Sequence, residues 1–137
     1  SFSLICDVRL LPGQTVEYLK NELNKILKGI DNYELELQGS ASPISSPPNN
    51  EFLNSIRRSL VKVMGCNVEV MQSLSVGLTD SWTIRSLGTI VYDFAPSHPD
   101  SDTSKNNVHS DNESISIEDL IFRTKVLSAI AFDMIAH

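Results

Sequence analysis

The stretch Phe2-Ser3-Leu4-Ile5-Cys6-Asp7-Val8-Arg9-Leu10 decides how the chain is read. Phe2, Leu4, Cys6, Val8 and Leu10 fall on one side, and Ser3, Ile5, Asp7 and Arg9 on the other. A period of two predicts a half-buried β-strand. It also sets Asp7 and Arg9 together on the polar face. They form either a surface ion pair worth well under ~1 kcal/mol or a substrate grip, because a guanidinium meets a carboxylate with two parallel hydrogen bonds. Pro12-Gly13 breaks the run. Thr15 then caps a helix, with Glu17 in its first turn. Its apolar positions Val16, Leu19, Leu23, Ile26, Leu27 and Ile30 recur at helical spacing, and Gly29 is its stop. Tyr33, Leu35 and Leu37 predict a second strand. Residues 1–40 therefore read as strand–helix–strand, too few elements to close a sheet alone.

Residues 39–50, Gly-Ser-Ala-Ser-Pro-Ile-Ser-Ser-Pro-Pro-Asn-Asn, have no periodicity and read as a connection. Asn49 or Asn50 starts the next helix, which carries Phe52, Ile56, Leu60, Val63 and Met64 and ends at Gly65. Val68 to Met71 is a short strand candidate. Gly77-Leu78-Thr79-Asp80 is a turn with capping residues before a short helix through Trp82, Ile84 and Arg85. Thr89 to Phe94 predicts an inner strand. From Pro96 to Asp111 the chain is polar and irregular, and loops of that length are functional or disordered. Ser116 with Asp119 resembles a capping box. Ile117, Leu120, Ile121, Thr124, Leu127, Ile130, Ala131, Met134 and Ile135 follow on one helical stripe down to His137. Strands alternating with helices predict an α/β fold.

Composition excludes several classes. The 137 residues are 41% hydrophobic and 20% charged, which is ordinary globular usage. A net charge of −6 argues against a nucleic-acid partner, since phosphate binding needs a basic face. No apolar run approaches the ~20 residues of a membrane span, and no signal segment marks the chain for secretion. Cys6 and Cys66 do not make a metal or disulfide framework. They are expected to be buried thiols in a reducing compartment, the cytoplasm. Asn112-Glu113-Ser114 matches the glycosylation acceptor pattern, which is short enough to arise by chance. The opening Ser1, running straight into an apolar alternation, is expected of a piece of a longer polypeptide.

Asn106-Asn107-Val108-His109-Ser110-Asp111-Asn112-Glu113 places a histidine in the polar loop before the last helix. There it is either a metal ligand or a solvated loop side chain. A zinc site needs three or four protein donors or a water in their place, so one histidine does not make one. No phosphate-cradling glycine loop, Gly-x-Ser-x-Gly elbow or His-Glu-x-x-His helix is present.

Several segments, taken in order, resemble the two-zinc aminoacylase, glutamate carboxypeptidase and acetylornithine deacetylase-like metallopeptidase family, peptidase clan MH. Cys6-Asp7-Val8-Arg9-Leu10-Leu11-Pro12-Gly13 resembles the strand-to-helix start in the second half of that family's lid, or dimerisation, domain. Gly39-Ser40-Ala41 and the Ser-Pro stretch resemble the return into the catalytic domain. Gly77-Leu78-Thr79-Asp80, then Arg85 to Gly88 and Tyr92-Asp93-Phe94-Ala95-Pro96, resemble the Gly-Thr-Asp segment and the strand after it. Val108-His109-Ser110-Asp111-Asn112-Glu113-Ser114-Ile115 resembles the loop of the final zinc-ligand histidine.

The resemblance implies half of a ferredoxin-like lid in residues 1–40, a connection in 41–50, and the C-terminal part of a zinc-exopeptidase-like α/β catalytic domain in 51–137. It implies that His109 is a zinc ligand, that Arg9 binds the carboxylate of a small peptide or N-acyl amino acid, and that Thr79 and Asp80 lie beside the substrate. Two zinc ions, or cobalt in their place, would serve the full-length parent. Ser81-Trp82 departs from the family's usual small residue and Arg, which leaves substrate preference open. The family's His-x-Asp motif, bridging Asp, Glu-Glu pair and further acidic ligand lie upstream and have no counterpart here. The implied function is the C-terminal portion of a metal-dependent hydrolase of amide bonds, with no catalytic residue of its own and inactive alone. Self-association or homodimerisation through the half-lid is expected. The alternative is a non-catalytic α/β interaction or dimerisation module.

Overall fold

The computed structural model describes residues 2–38, 43–74, 77 and 79–136. Gly39-Ser40-Ala41 and Leu78, which carry part of the resemblance, and His137, the predicted end of the last helix, lie outside the described residues. The chain divides into two units, each assembled from two separate stretches: Ser1–Ser46 with Ser75–Val91, and Pro47–Leu74 with Tyr92–His137.

The predicted α/β fold is overturned. The described residues form four α-helices and one 3-10 turn, with no strand among them. Among the described residues, neither the strand–helix–strand half of a ferredoxin-like lid nor a sheet of a zinc-exopeptidase-like catalytic domain is formed. The segments 2–10, 33–37, 68–71 and 89–94 carry no regular structure. A strand exists through the ladder it makes with a neighbour, and no such ladder joins the described residues. Alternation records which side is apolar but does not supply the neighbour. Phe2 and Ile5, on opposite sides of the alternation, are 90% and 95% exposed. The cysteine expectation also fails, since Cys6 and Cys66 are both exposed.

In the first unit, α1 (Val16–Ile26) begins where the Thr15 hydroxyl accepts the Tyr18 N–H at 3.1 Å. Glu17 stands in its first turn and Lys25 in its last, each at the end its charge favours. α1 buries no residue, so local signals alone account for it. The short α3 (Ser81–Ser86) starts at Asp80, whose side chain makes no capping bond. Ser46 ties the two stretches of this unit together. Its hydroxyl donates to the Val91 carbonyl at 2.8 Å and accepts the Val91 N–H at 2.9 Å. Arg85 donates to the same carbonyl from Nε and Nη2, at 3.0 and 2.8 Å.

The second unit holds the core. α2 (Glu51–Met64) is started by Asn50, whose Oδ1 accepts the Leu53 N–H at 3.0 Å. The Asn50 amide also donates to Pro47 O at 2.7 Å and contacts the Tyr92 hydroxyl. α2 ends at Gly65, whose φ of 70° is the left-handed cap that a Cβ disfavours. α4 (Ile117–Ile135) packs against α2, the one helix pair in contact among the described residues. Leu53, Ile56 and Leu60 meet Phe122, Val126 and Ile130 there, at helical spacings on both sides. Phe52, Val63, Met64, Val68, Val70, Tyr92 and Phe94 close around this cluster. Ser55 and Ser59 are buried, with hydroxyls that find no partner. Such an orphan costs about 1–3 kcal/mol. Arg58 of α2 joins Asp133 of α4 and Glu51, with a 2.6 Å contact to Glu51. The guanidinium holds the Glu51 carboxyl below its usual range, but exposed pairs of this kind contribute little.

Candidate functional site

Three side chains fasten the polar stretch after residue 95 to the first turns of α4. Arg123 donates from Nε to Pro96 O at 3.0 Å and from Nη2 to Ser97 Oγ at 3.3 Å. The Asp119 carboxylate accepts the His98 N–H at 2.7 Å. The His98 ring stands edge-on to Phe122, with centroids 5.6 Å apart. The Ser116 hydroxyl accepts the Asp119 N–H at 3.0 Å, as a helix cap should. The reciprocal half of the predicted capping box is absent, because the Asp119 carboxylate is turned onto His98 instead.

Asp119 is a carboxylate only 1% exposed. The His98 N–H, foremost, with the Arg123 charge and the Ser116 hydroxyl, holds its pKa below the usual carboxylate value, against the opposing effect of burial. A depressed folded-state pKa contributes stability that is complete above the unfolded value of about 3.9. That contribution is lost as pH falls through the folded value. Thermal melts from pH 7 to pH 3 should show the second unit weakening below about pH 4. Asp119→Asn should remove that part of the acid dependence while leaving the shares of Glu51 and Asp102, which are also held low. Identical acid profiles for the two proteins would contradict this assignment.

Beyond a 3-10 turn at Thr103–Asn106, the chain makes a closed loop. Ser114 N–H donates to Asn106 O at 3.0 Å and joins its ends. Inside it, Ser110 N–H donates to Asn107 O at 3.0 Å and Glu113 N–H to Ser110 O at 3.1 Å. His109 sits in this loop with φ of 67°, a left-handed backbone rare for a residue with a Cβ. Its N–H donates to Glu113 Oε2 at 3.2 Å. The imidazole is exposed, and no described residue engages its ring nitrogens.

Asn106 and Ser114, where the loop closes, also line a cleft of about 350 Å³. Asp100, Asp102 and Glu118 give it an acidic border, with the single cation Lys105 among them. Lys105 lies 3.2 Å from Asp102, whose carboxyl is held low by the Ser104 hydroxyl and then by Lys105. Among the described residues, no three His, Cys, Asp or Glu side chains converge on a cation position.

Arg9, Thr79 and Asp80 belong to the first unit and His109 to the second. Arg9 donates to Asp7 Oδ2 at 2.9 Å, in a pair that is open to solvent. The Thr79 hydroxyl accepts the Ser81 N–H at 3.3 Å, and Asp80 stands at the start of α3. Among the described residues His109 is not joined by the further donors a zinc needs, and the residues present do not by themselves hold one. Asp119, Arg123 and Glu113 escaped the sequence reading as site residues. Asp119 entered only as a capping residue and Arg123 not at all, while Glu113 stands four positions after the histidine in the same polar stretch.

Comparison with known proteins returned no matching family model, no matching curated protein and no matching solved structure. No helix among the described residues is long and apolar enough to cross a membrane.

Proposed function

We propose that this chain is the C-terminal portion of a two-metal amidohydrolase, to which it supplies the last histidine ligand and a carboxylate-binding arginine. The observation that carries this is the backbone of His109, held at φ of 67° inside a closed loop with its imidazole presented to solvent. Backbone strain of this sort gathers at functional positions when neighbouring bonds over-determine it. The order of the sequence segments supplies the rest of the support. A bound zinc pair, or cobalt, would lower the pKa of a water and stabilise an oxyanion.

The chain's own contribution is binding and orientation. His109 offers one imidazole nitrogen. Arg9 exchanges Asp7 for the carboxylate of a small peptide or N-acyl amino acid. That exchange costs little, since an exposed ion pair is worth about 0–1 kcal/mol. Thr79 and Asp80 border the substrate. On this reading the remaining donors would come from a longer polypeptide, and the 137 residues alone are expected to be inactive.

The test is metal content and hydrolysis of an N-acyl amino acid by the intact polypeptide, against its His109→Ala variant. Two zinc or cobalt ions are expected in the first. The variant should lose metal, with kcat/KM falling by more than about 100-fold, the upper end of what losing an outer-shell partner costs. Unchanged metal content and activity in the variant would exclude the ligand role. A second reading, a non-catalytic interaction module, draws on the exposed apolar side of α4, where Ile117, Phe132 and Ile135 face solvent.

A further inference from the structure

We propose that α4 forms the seam of a homodimer, meeting α4 of a second copy end for end. This holds whether or not the chain serves a hydrolase. Ile117, Leu120, Thr124, Leu127, Ala131 and Met134 follow one another at alternating steps of three and four. That is the ~3.5-residue repeat of a coiled-coil seam. The core does not use it, because α2 covers Phe122, Val126 and Ile130 on a different side of the helix. Ile117 is 76% exposed, and Leu120, Leu127 and Met134 are 53%, 51% and 43% exposed. Thr124 and Ala131 are exposed as well. A helix apolar all round is one that is covered on more than one side.

The order of large and small side chains points to a second copy as the cover. Turned end for end, another α4 brings its Ala131 against Leu120, its Thr124 against Leu127 and its Met134 against Ile117. Each central leucine then meets a small side chain, as interdigitating layers require. Pairing in the same direction would set Thr124 on Thr124 and Ala131 on Ala131, leaving voids that cost stability. None of the six is charged. The Thr124 hydroxyl donates to Leu120 O at 2.7 Å, so covering it strands no donor. Arg123, at the border, is turned to Pro96 O and Ser97. With Ile121 and Ile135 at its edge, the seam exposes on the order of the ~800 Å² that each partner of a standard interface buries. A two-fold contact needs one self-complementary surface. α4 enters it already folded on α2, so association does not bear the cost of ordering the helix.

The experiment begins by replacing the two exposed thiols, as Cys6→Ser with Cys66→Ser. On that background Ile117→Cys and Met134→Cys chains, one of them tagged, are oxidised separately and then mixed. The mixture should give the cross-linked product and neither chain alone should. In this arrangement position 117 lies about 25 Å along the axis from its own counterpart, at 1.5 Å per residue. Sedimentation of the wild-type chain should give twice the monomer mass. Leu120→Glu should weaken association about 30-fold or more, a hot-spot loss, with helical circular dichroism unchanged. Phe132→Ser, exposed on α4 but outside the seam, should leave it unaltered. Cross-linking of each chain with itself means a same-direction pair and overturns the proposal. Equal weakening by Phe132→Ser means unspecific apolar contact and overturns it too. So does a monomeric wild type, and slow thiol labelling of its Ile117→Cys variant would then show that the chain covers this seam itself.

Discussion

Val126→Asp is expected to unfold the second unit outright. Val126 is 0% exposed, at the centre of the seam where α2 and α4 meet. Losing its burial removes about 1.5–3 kcal/mol. Placing an unpaired carboxylate there costs several kcal/mol more. A small domain has only about 5–15 kcal/mol in total, so the sum approaches the whole. The neighbouring Leu127, one residue on and half exposed, supplies the control. Leu127→Asp should cost under about 1 kcal/mol. Helical circular dichroism with urea titration separates the two. A cooperative transition in Val126→Asp close to the wild-type midpoint would show that the seam is not the core.

The second large effect concerns association. α4 is apolar on two sides: one is buried on α2, while Ile117, Ile121, Leu127, Phe132 and Ile135 lie exposed on the other. Exposed apolar patches beyond a few hundred Å² mark interaction sites or aggregation liabilities. The 137-residue chain should therefore sediment as dimers or larger species at concentrations on the order of tens of micromolar, the range in which such surfaces associate. Ile121→Glu with Leu127→Glu should return it to monomer while leaving the α2–α4 seam intact. A wild-type chain that stays monomeric across that range would sink the expectation. The driving surface is this helix, since the half-lid first expected to self-associate is not formed.

The helices were legible because their signals are local. Thr15, Asn50 and Ser116 each announce a start within three residues of the N–H they accept, and Gly65 announces a stop by its own backbone. The strands were misread because pairing is not local. The alternation from Phe2 to Leu10 is real, yet its period holds no information about a neighbour. The Ser116 and Asp119 pair shows the same limit at smaller scale. Its spacing gave the helix start correctly, but the carboxylate was drawn away by His98, 21 positions earlier in the chain. His109 was visible as a residue type in a polar loop. Its left-handed backbone and the support from Glu113 were not, since neither changes the composition of the stretch.

The interleaving of the two units bears on synthesis. α2 leaves the ribosome with its apolar side complete, but the helix that covers it is encoded after residue 116. At about 5–20 residues per second the nascent chain carries that side uncovered for several seconds. Closing so long a loop adds an entropic cost that grows only slowly with length. The delay is thus mainly one of translation, and in that window chaperones, or other copies on the same message, have first access to Leu53, Ile56 and Leu60.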